Sequence, residues 1–340
     1  MKFKKITALS TAIIVASLSL VGCGSDSAKG EKETIKVGMV ADVGGINDES
    51  FNQSAYEGLK QAEKELGIKV KVIESKQASE YIQNIESVID EGVDLVIGVG
   101  NTMKDDIKKE AESYPDQQFA IIDETYDDIP KNVTPILFKE NEATFLAGLV
   151  AGKMTKTNNV GFLGGMENQI ISRFENGFKY GVKTANPNAN INVQYAGTFG
   201  DAAKGKSIAN QMYGNNTDII LSAAGATGLG AIEAAKEKDK YAIGVDRDQS
   251  NLAPKNVLTS ALKKVNVGVY DTVKELVEGK LKGGEEKVYG LKQGGVGIVE
   301  KKDGLIPQDV LNYVNEMKEK VKNGEIKVPA TKAEYEKTQG

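Results

Sequence analysis

The stretch Ala41-Asp42-Val43-Gly44-Gly45-Ile46-Asn47-Asp48-Glu49-Ser50-Phe51-Asn52 holds the residue types best suited to gripping a small polar molecule. Carboxylates accept hydrogen bonds, amides both donate and accept, and the Phe51 ring offers a flat apolar face. The run follows an apolar segment, Ile35 to Val40, and precedes a helical pattern, Ser54 to Leu66. A loop leaving the carboxyl end of a parallel strand and opening onto a helix is where α/β proteins hold ligands. The same kind of loop recurs along the chain. Asn101 follows Leu95–Val99, Asp123 follows Phe119–Ile122, and Arg173-Phe174 lie beyond Val160–Leu163. Phe199 follows Ile191–Tyr195, Asp246 follows Tyr241–Val245, and Lys263 follows Val257–Leu262. Asp48 and Asp248 read instead as loop-stabilising or solvated acids.

The chemistry that is missing narrows the classes. Histidine is absent from the chain, and cysteine occurs once, at Cys23. Ser-His-Asp and Cys-His catalysis and His-ligated metal sites are therefore excluded, and no soft-metal site is expected. No internal disulfide can form. The formal charge of −5 argues against a nucleic-acid partner, which requires a basic face.

The elements that must position these residues alternate regularly. Short apolar runs, Ile35–Val40, Val70–Ile73, Leu95–Val99, Phe119–Ile122 and Ile136–Phe138, are separated by amphipathic segments. A second series starts at Asn141, with strands Val160–Leu163, Ile191–Tyr195, Ile219–Ser222, Tyr241–Val245 and Val257–Leu262. The intervening helices are 143–154, 170–185, 203–213 and 229–237, with 265–281 and 310–321 following. The Ala/Gly-rich helix 143–154 can pack closely on a sheet, and the glycine cluster from Gly290 to Gly297 reads as loops. Two successive βα series predict two doubly wound domains with a cleft between them at the strand ends.

The N-terminus is read separately. A basic start, an apolar run from Ile6 to Leu20, and small residues before Cys23 form an export-signal pattern. The run falls short of the ~20 residues that span a bilayer. Leu20-Val21-Gly22-Cys23 resembles the bacterial lipobox, which implies cleavage before Cys23 and lipidation of its thiol. Residues 23–34 are small and polar, a tether. The remainder suffices for two domains of ~150 residues.

Asp42-x-Gly-Gly-x-Asn-Asp-x-Ser-Phe51-Asn52, the run 161–166, Arg173-Phe174-x-x-Gly-Phe178, Gly-Val-Asp246 and Thr259-Ser260-x-x-Lys263 resemble, in order, the basic membrane protein (BMP) family of purine-nucleoside-binding lipoproteins. The resemblance implies a solute-binding component of an ABC transporter with the type I periplasmic-binding-protein fold, α/β, two doubly wound parallel-sheet lobes joined by hinge strands. It implies lobes formed by 35–138 with 264–291 and by 139–263 with 292–340, hinged near Lys139, Lys263 and Leu291. The expected ligand set is Asp42, Phe51, Asn52, Asn101, Asp123, Phe174, Asp246 and Lys263. Phe51 and Phe174 (or Phe199) sandwich a purine, Asp246 accepts from the ribose hydroxyls, and Lys263 balances the acids or bonds the sugar. No catalysis and no cofactor are implied. The partners are a purine nucleoside, an ABC permease and the membrane through Cys23, and the protein is expected to be a monomer on the extracytoplasmic face. A sugar or other small polar solute, or a role as signal receptor or adhesin, are the alternatives.

One motif points elsewhere. Gly200-Asp-Ala-Ala-Lys-Gly205-Lys206-Ser207 fits G-x-x-x-x-G-K-[ST], the pattern of a phosphate-cradling loop. Asp201 at the helix start would repel phosphate, so the run is read as an Asp N-cap and an exposed basic turn.

Overall fold

The computed structural model describes residues 34–300 and 304–339. Cys23, its lipobox and the tether up to Glu33 lie outside the described residues.

Central strands of the two sheets are apolar on both faces because helices cover both sides. β1 (Lys36–Ala41) and β3 (Leu95–Val99) are buried almost throughout, as is β8 (Ile219–Ala223). β2 (Lys69–Glu74) and β7 (Asn190–Tyr195) end one side of their sheets and carry exposed residues. With β4 (Gln118–Ile122), β5 (Val133–Phe138) and β11 (Lys287–Tyr289), the first sheet has the order β11-β5-β4-β3-β1-β2. It is parallel throughout. The second, with β6 (Asn159–Gly164), β9 (Tyr241–Asp246), β10 (Val257–Lys263) and β12 (Val296–Ile298), has the order β12-β10-β9-β8-β6-β7. Only β12 in this sheet is antiparallel to its neighbour.

Strand order reverses between β1 and β3 in one sheet and between β6 and β8 in the other. Those switch points open a crevice at the carboxyl ends of the strands, because the connecting helices leave to opposite faces there.

Three crossings join the sheets. The chain leaves β5 at Lys139 for α4 (Glu140–Met154), leaves β10 at Lys264 for α8 (Val265–Val277), and returns from β11 through 290–295 to β12. The crossings are tied to one another, since the Lys139 amide donates to the Tyr289 carbonyl at 2.9 Å and the Lys264 amide to the Gly295 carbonyl at 2.8 Å. After the second crossing α8 packs on α1 (Phe51–Leu66).

α4 is buried on nearly its whole surface. It packs on β10 and β12, and more extensively on α5 (Gln169–Ala185). A Cβ at Gly181 would lie 2.1 Å from the Phe145 carbonyl oxygen, so the helix axes approach as they do only because that side chain is missing.

Two strands and a helix differ from the sequence reading. β11 lies just before the glycine cluster and was not expected, β12 overlaps its end at Gly297, and α10 (Lys332–Lys337) closes the chain after α9 (Gln308–Lys322). Each of these strands has three residues, too short for a periodic signal. They are held by pairing with β5 and β10.

Candidate functional site

All eight residues singled out from the sequence line one cavity between the two sheets, with Phe199 beside them. It encloses about 570 Å³ of empty space, its mouth included.

The β1–α1 loop supplies the first wall. Phe51 is not in the loop as the sequence suggested but is the first residue of α1. Asp48 moves the helix start forward. Its carboxylate accepts from the Ser50, Asn52 and Gln53 amides at 2.8, 2.9 and 3.1 Å, satisfying the donors that a helix start leaves unpaired. Asp48 thus stabilises the loop, and it lines the cavity as well.

Asp42 and Asn52 hold each other. Asn52 Nδ2 donates to Asp42 Oδ1 at 2.7 Å and to Asp48 Oδ2 at 3.1 Å, and Asn52 Oδ1 accepts from the Asp42 amide at 3.1 Å. The Asn52 amide hydrogens are therefore engaged within the loop, and the residue positions Asp42. Burial pushes the Asp42 carboxyl up to about 6, against the Gly44 and Asn52 hydrogen bonds, which favour its charged form. Gly100, at φ +109°, brings the β3 end close to this wall. A Cβ there would lie 3.2 Å from Asp42 Oδ2 and 3.6 Å from the Phe51 ring.

The other wall is built by the second sheet. Asn168 caps α5, its Oδ1 accepting from the Ile171 amide at 2.9 Å, and this sets the helix on which Phe174 faces the cavity. Phe199, after β7, lies against Gly165 and Gly225. Asp246 ends β9 with φ 66° and accepts from the Ser50 hydroxyl across the interlobe gap. Burial pushes its carboxyl up to about 7, opposed by the Lys263 charge and the Ser50 bond.

Lys263 stands at the base. It is 1% exposed and pairs with Asp123, which reaches it from the other sheet. Its ammonium lies 5.0 Å from the Phe51 ring centroid and 5.5 Å from those of Phe138 and Phe174. These are cation–π distances. Burial alone would lower its pKa, but the Asp123, Glu140 and Asp246 carboxylates outweigh it and the net shift is upward. Glu140, fully buried at the first crossing, also holds Arg173 Nε at 2.7 Å. Burial raises the Glu140 carboxyl above its ordinary value. Asp123 Oδ1 has no protein partner. It is a free acceptor on a residue that lines the cavity.

Asn101 lines both the cavity and a vestibule formed with Lys104, Glu124, Thr125, Gln169 and Arg173. Asp248 is exposed and accepts from the Ser250 amide at 2.9 Å, a turn role. Sequence reasoning gave Ser50, within the candidate stretch, no role of its own, and missed Gly100, Asn168 and Glu140 as site residues. Asn168 could have been found, since an Asn before the apolar pair Ile170-Ile171 is an N-cap signal. The partner of Ser50 is 196 residues away, and Glu140 carries no local signal.

The P-loop-like run behaves as the sequence suggested. Asp201 caps α6 (Ala202–Gly214), accepting from the Lys204 amide at 2.9 Å. Lys206 is held by Glu233 and Glu237 at 2.9 and 2.8 Å.

Two parallel-sheet lobes, three crossings and a polar–aromatic cavity between them define a solute-binding protein of the periplasmic type. A solved structure agrees. The ABC transporter solute-binding protein of Aeropyrum pernix K1 superposes with a TM-score of 0.81 at 28% identity, covering 89% of this chain and 96% of that one. The Bmp family, ABC transporter substrate-binding protein PnrA-like, matches residues 35–332. The chain belongs to that family and is an ABC transporter substrate-binding protein. A relative from Lactococcus lactis, an ABC transporter nucleoside-binding protein, is 37% identical over 96% of this chain and 99% of its own. A Listeria innocua relative described as a CD4+ T-cell-stimulating antigen is 41% identical over the same shares.

Proposed function

We infer that the cavity takes a purine nucleoside, that the two lobes close on it, and that the protein hands it to an ABC permease. The observation that carries this reading is the pairing of opposed aromatic rings with carboxylates. Phe51 comes from one lobe and Phe174 and Phe199 from the other, and Asp42, Asp123 and Asp246 lie around the same space. A purine is flat and apolar on its faces and polar on its edges. Stacking on aromatic side chains contributes ~1–3 kcal/mol per base. Asp246 accepts from the ribose hydroxyls, and hydrogen bonds to a charged group contribute ~1.5–3 kcal/mol each. The unpartnered Asp123 Oδ1 accepts from a ligand N–H or O–H. A ligand touching both walls binds the closed arrangement more tightly and so shifts the lobes toward it. The segments 35–138 with 264–291, and 139–263 with 292–340, are the moving bodies.

The nucleoside named for the Lactococcus relative supports the same ligand class. Calorimetry with guanosine, adenosine, inosine and ribose tests it. The nucleosides bind at micromolar concentration or below and ribose far more weakly. Equal affinity for ribose turns the reading to a sugar binder.

Lipid attachment at Cys23 is supported by Leu20-Val21-Gly22-Cys23. Among the described residues no helix is long and apolar enough to cross a membrane. Labelled palmitate enters the wild-type protein and is absent from Cys23→Ala.

A further inference from the structure

The lobes meet through a line of polar bonds that need no ligand. Ser50 donates its hydroxyl to Asp246 at the buried end. Next, Gln249 Nε2 donates to the Glu49 carbonyl at 2.8 Å. At the outer end Arg247 binds Glu49 through Nη1 and Glu57 through Nη2, the latter at 2.8 Å. Arg247, Gln249 and Asp246 belong to one lobe, and Glu49, Ser50 and Glu57 to the other. Its two terminal guanidinium nitrogens thus grip different carboxylates while Nε has no protein partner, a fork geometry that a lysine cannot reproduce. Glu49 and Asp246 both hold left-handed backbone, at φ 50° and 66°. Non-glycine residues adopt that conformation at a cost, so both loops are held in shape rather than relaxed. The neighbouring pocket lined by Lys104, Glu124, Thr125, Gln169 and Arg173 includes none of the latch residues.

We propose that Arg247, with Glu49 and Glu57, is an interlobe latch that sets how long a ligand stays bound without touching the ligand. Arg247 and Glu49 are each next in sequence to a residue of the Ser50–Asp246 bond. Engaging the fork therefore holds the cavity walls at their bound separation, and opening must break it. Arg247 is a positioning residue, since the cavity lining does not include it. The kinetic consequence rests on the nucleoside reading given above; the contact between lobes does not.

The test measures guanosine dissociation by stopped flow on the mature protein. Because the fork is part-exposed, Arg247→Ala raises the dissociation rate about fivefold, with the association rate unchanged or raised. Glu49→Gln with Glu57→Gln gives the same rise, and combining all three substitutions adds nothing further. Wild-type dissociation quickens with salt, and in the variants this dependence flattens. A dissociation rate within twofold of wild type, or effects that simply add, overturns the latch. Nitroxides at Lys64→Cys on α1 and Lys236→Cys on α7 (Ala226–Glu237) report lobe separation directly, with no ligand present. In that measurement Arg247→Ala, or the double glutamine variant where Arg247→Ala does not fold, adds a longer-distance population. If no nucleoside binds, the nucleoside reading falls. The spin-label distances then decide the latch alone, and an unchanged distribution overturns it.

Discussion

Replacing Lys263 by methionine isolates the charge that the cavity is built around. The side chain keeps its length and apolar stem but loses the ammonium. In the folded protein the Lys263 side chain is 2% exposed and its ammonium is bonded to Asp123, whose side chain is 7% exposed, with fully buried Glu140 nearby. Truncating one member of a buried pair leaves the other charge stranded, which costs ~3–5 kcal/mol. Arg173 still balances Glu140, so the lower end applies and a loss of ~3 kcal/mol is expected. For a chain of this size that lowers the melting temperature by roughly 5 °C. Urea unfolding followed by circular dichroism at pH 8 measures it. The companion variant is decisive. Asp123→Asn in the Lys263→Met background removes the stranded charge, so the double variant is more stable than Lys263→Met alone. If Lys263→Met costs under ~1 kcal/mol, or if the two losses add, the pair is not coupled and the electrostatic account of the cavity floor is wrong.

Four further outcomes follow from the same geometry. Phe51→Ala weakens guanosine binding by ~1–3 kcal/mol in calorimetry and changes ribose binding much less. Burial pushes the Asp246 carboxyl from the ordinary aspartate value near 4 up to about 7, so its neutral form contributes stability below about pH 4 that is lost as pH rises to about 7. The urea midpoint of Asp246→Asn is accordingly flatter across that window than that of wild type. Ribose hydroxyls favour the carboxylate, so nucleoside affinity falls as pH drops below about 7, up to ~10-fold per unit, and Asp246→Asn removes most of that slope. Gly100→Ala destabilises the protein by ~1–3 kcal/mol, because φ +109° is strained for any side chain and the new methyl meets Asp42 and Phe51.

Much of the architecture was legible because parallel strands covered on both faces are written as unbroken apolar runs. β1, β3, β4, β6, β8, β9 and β10 all lie within a residue or two of such runs. The strand ends then pointed to Asp42, Asn101, Asp123 and Asp246 without any coordinates, since the carboxyl end of a strand is a fixed place in this kind of sheet. β11 and β12 escaped because three residues between glycines have no period, and their strand form comes from neighbours. Phe51 was placed in the loop because the capping role of Asp48 depends on a carboxylate folding back onto three amides.

The sequence by itself determined which residue types stand at the strand ends, and with them the class of fold and the region of the cleft. Local patterning is enough for that, because helix and strand periods are read over a handful of residues. Which of those groups touch was decided only by tertiary structure. Ser50 meets Asp246 across 196 positions, Lys263 meets Asp123 across 140, and Arg247 reaches Glu49 across 198. No spacing rule spans such distances. These pairs exist because three chain crossings bring two separately wound sheets face to face, and burial then requires each charge between them to find a partner.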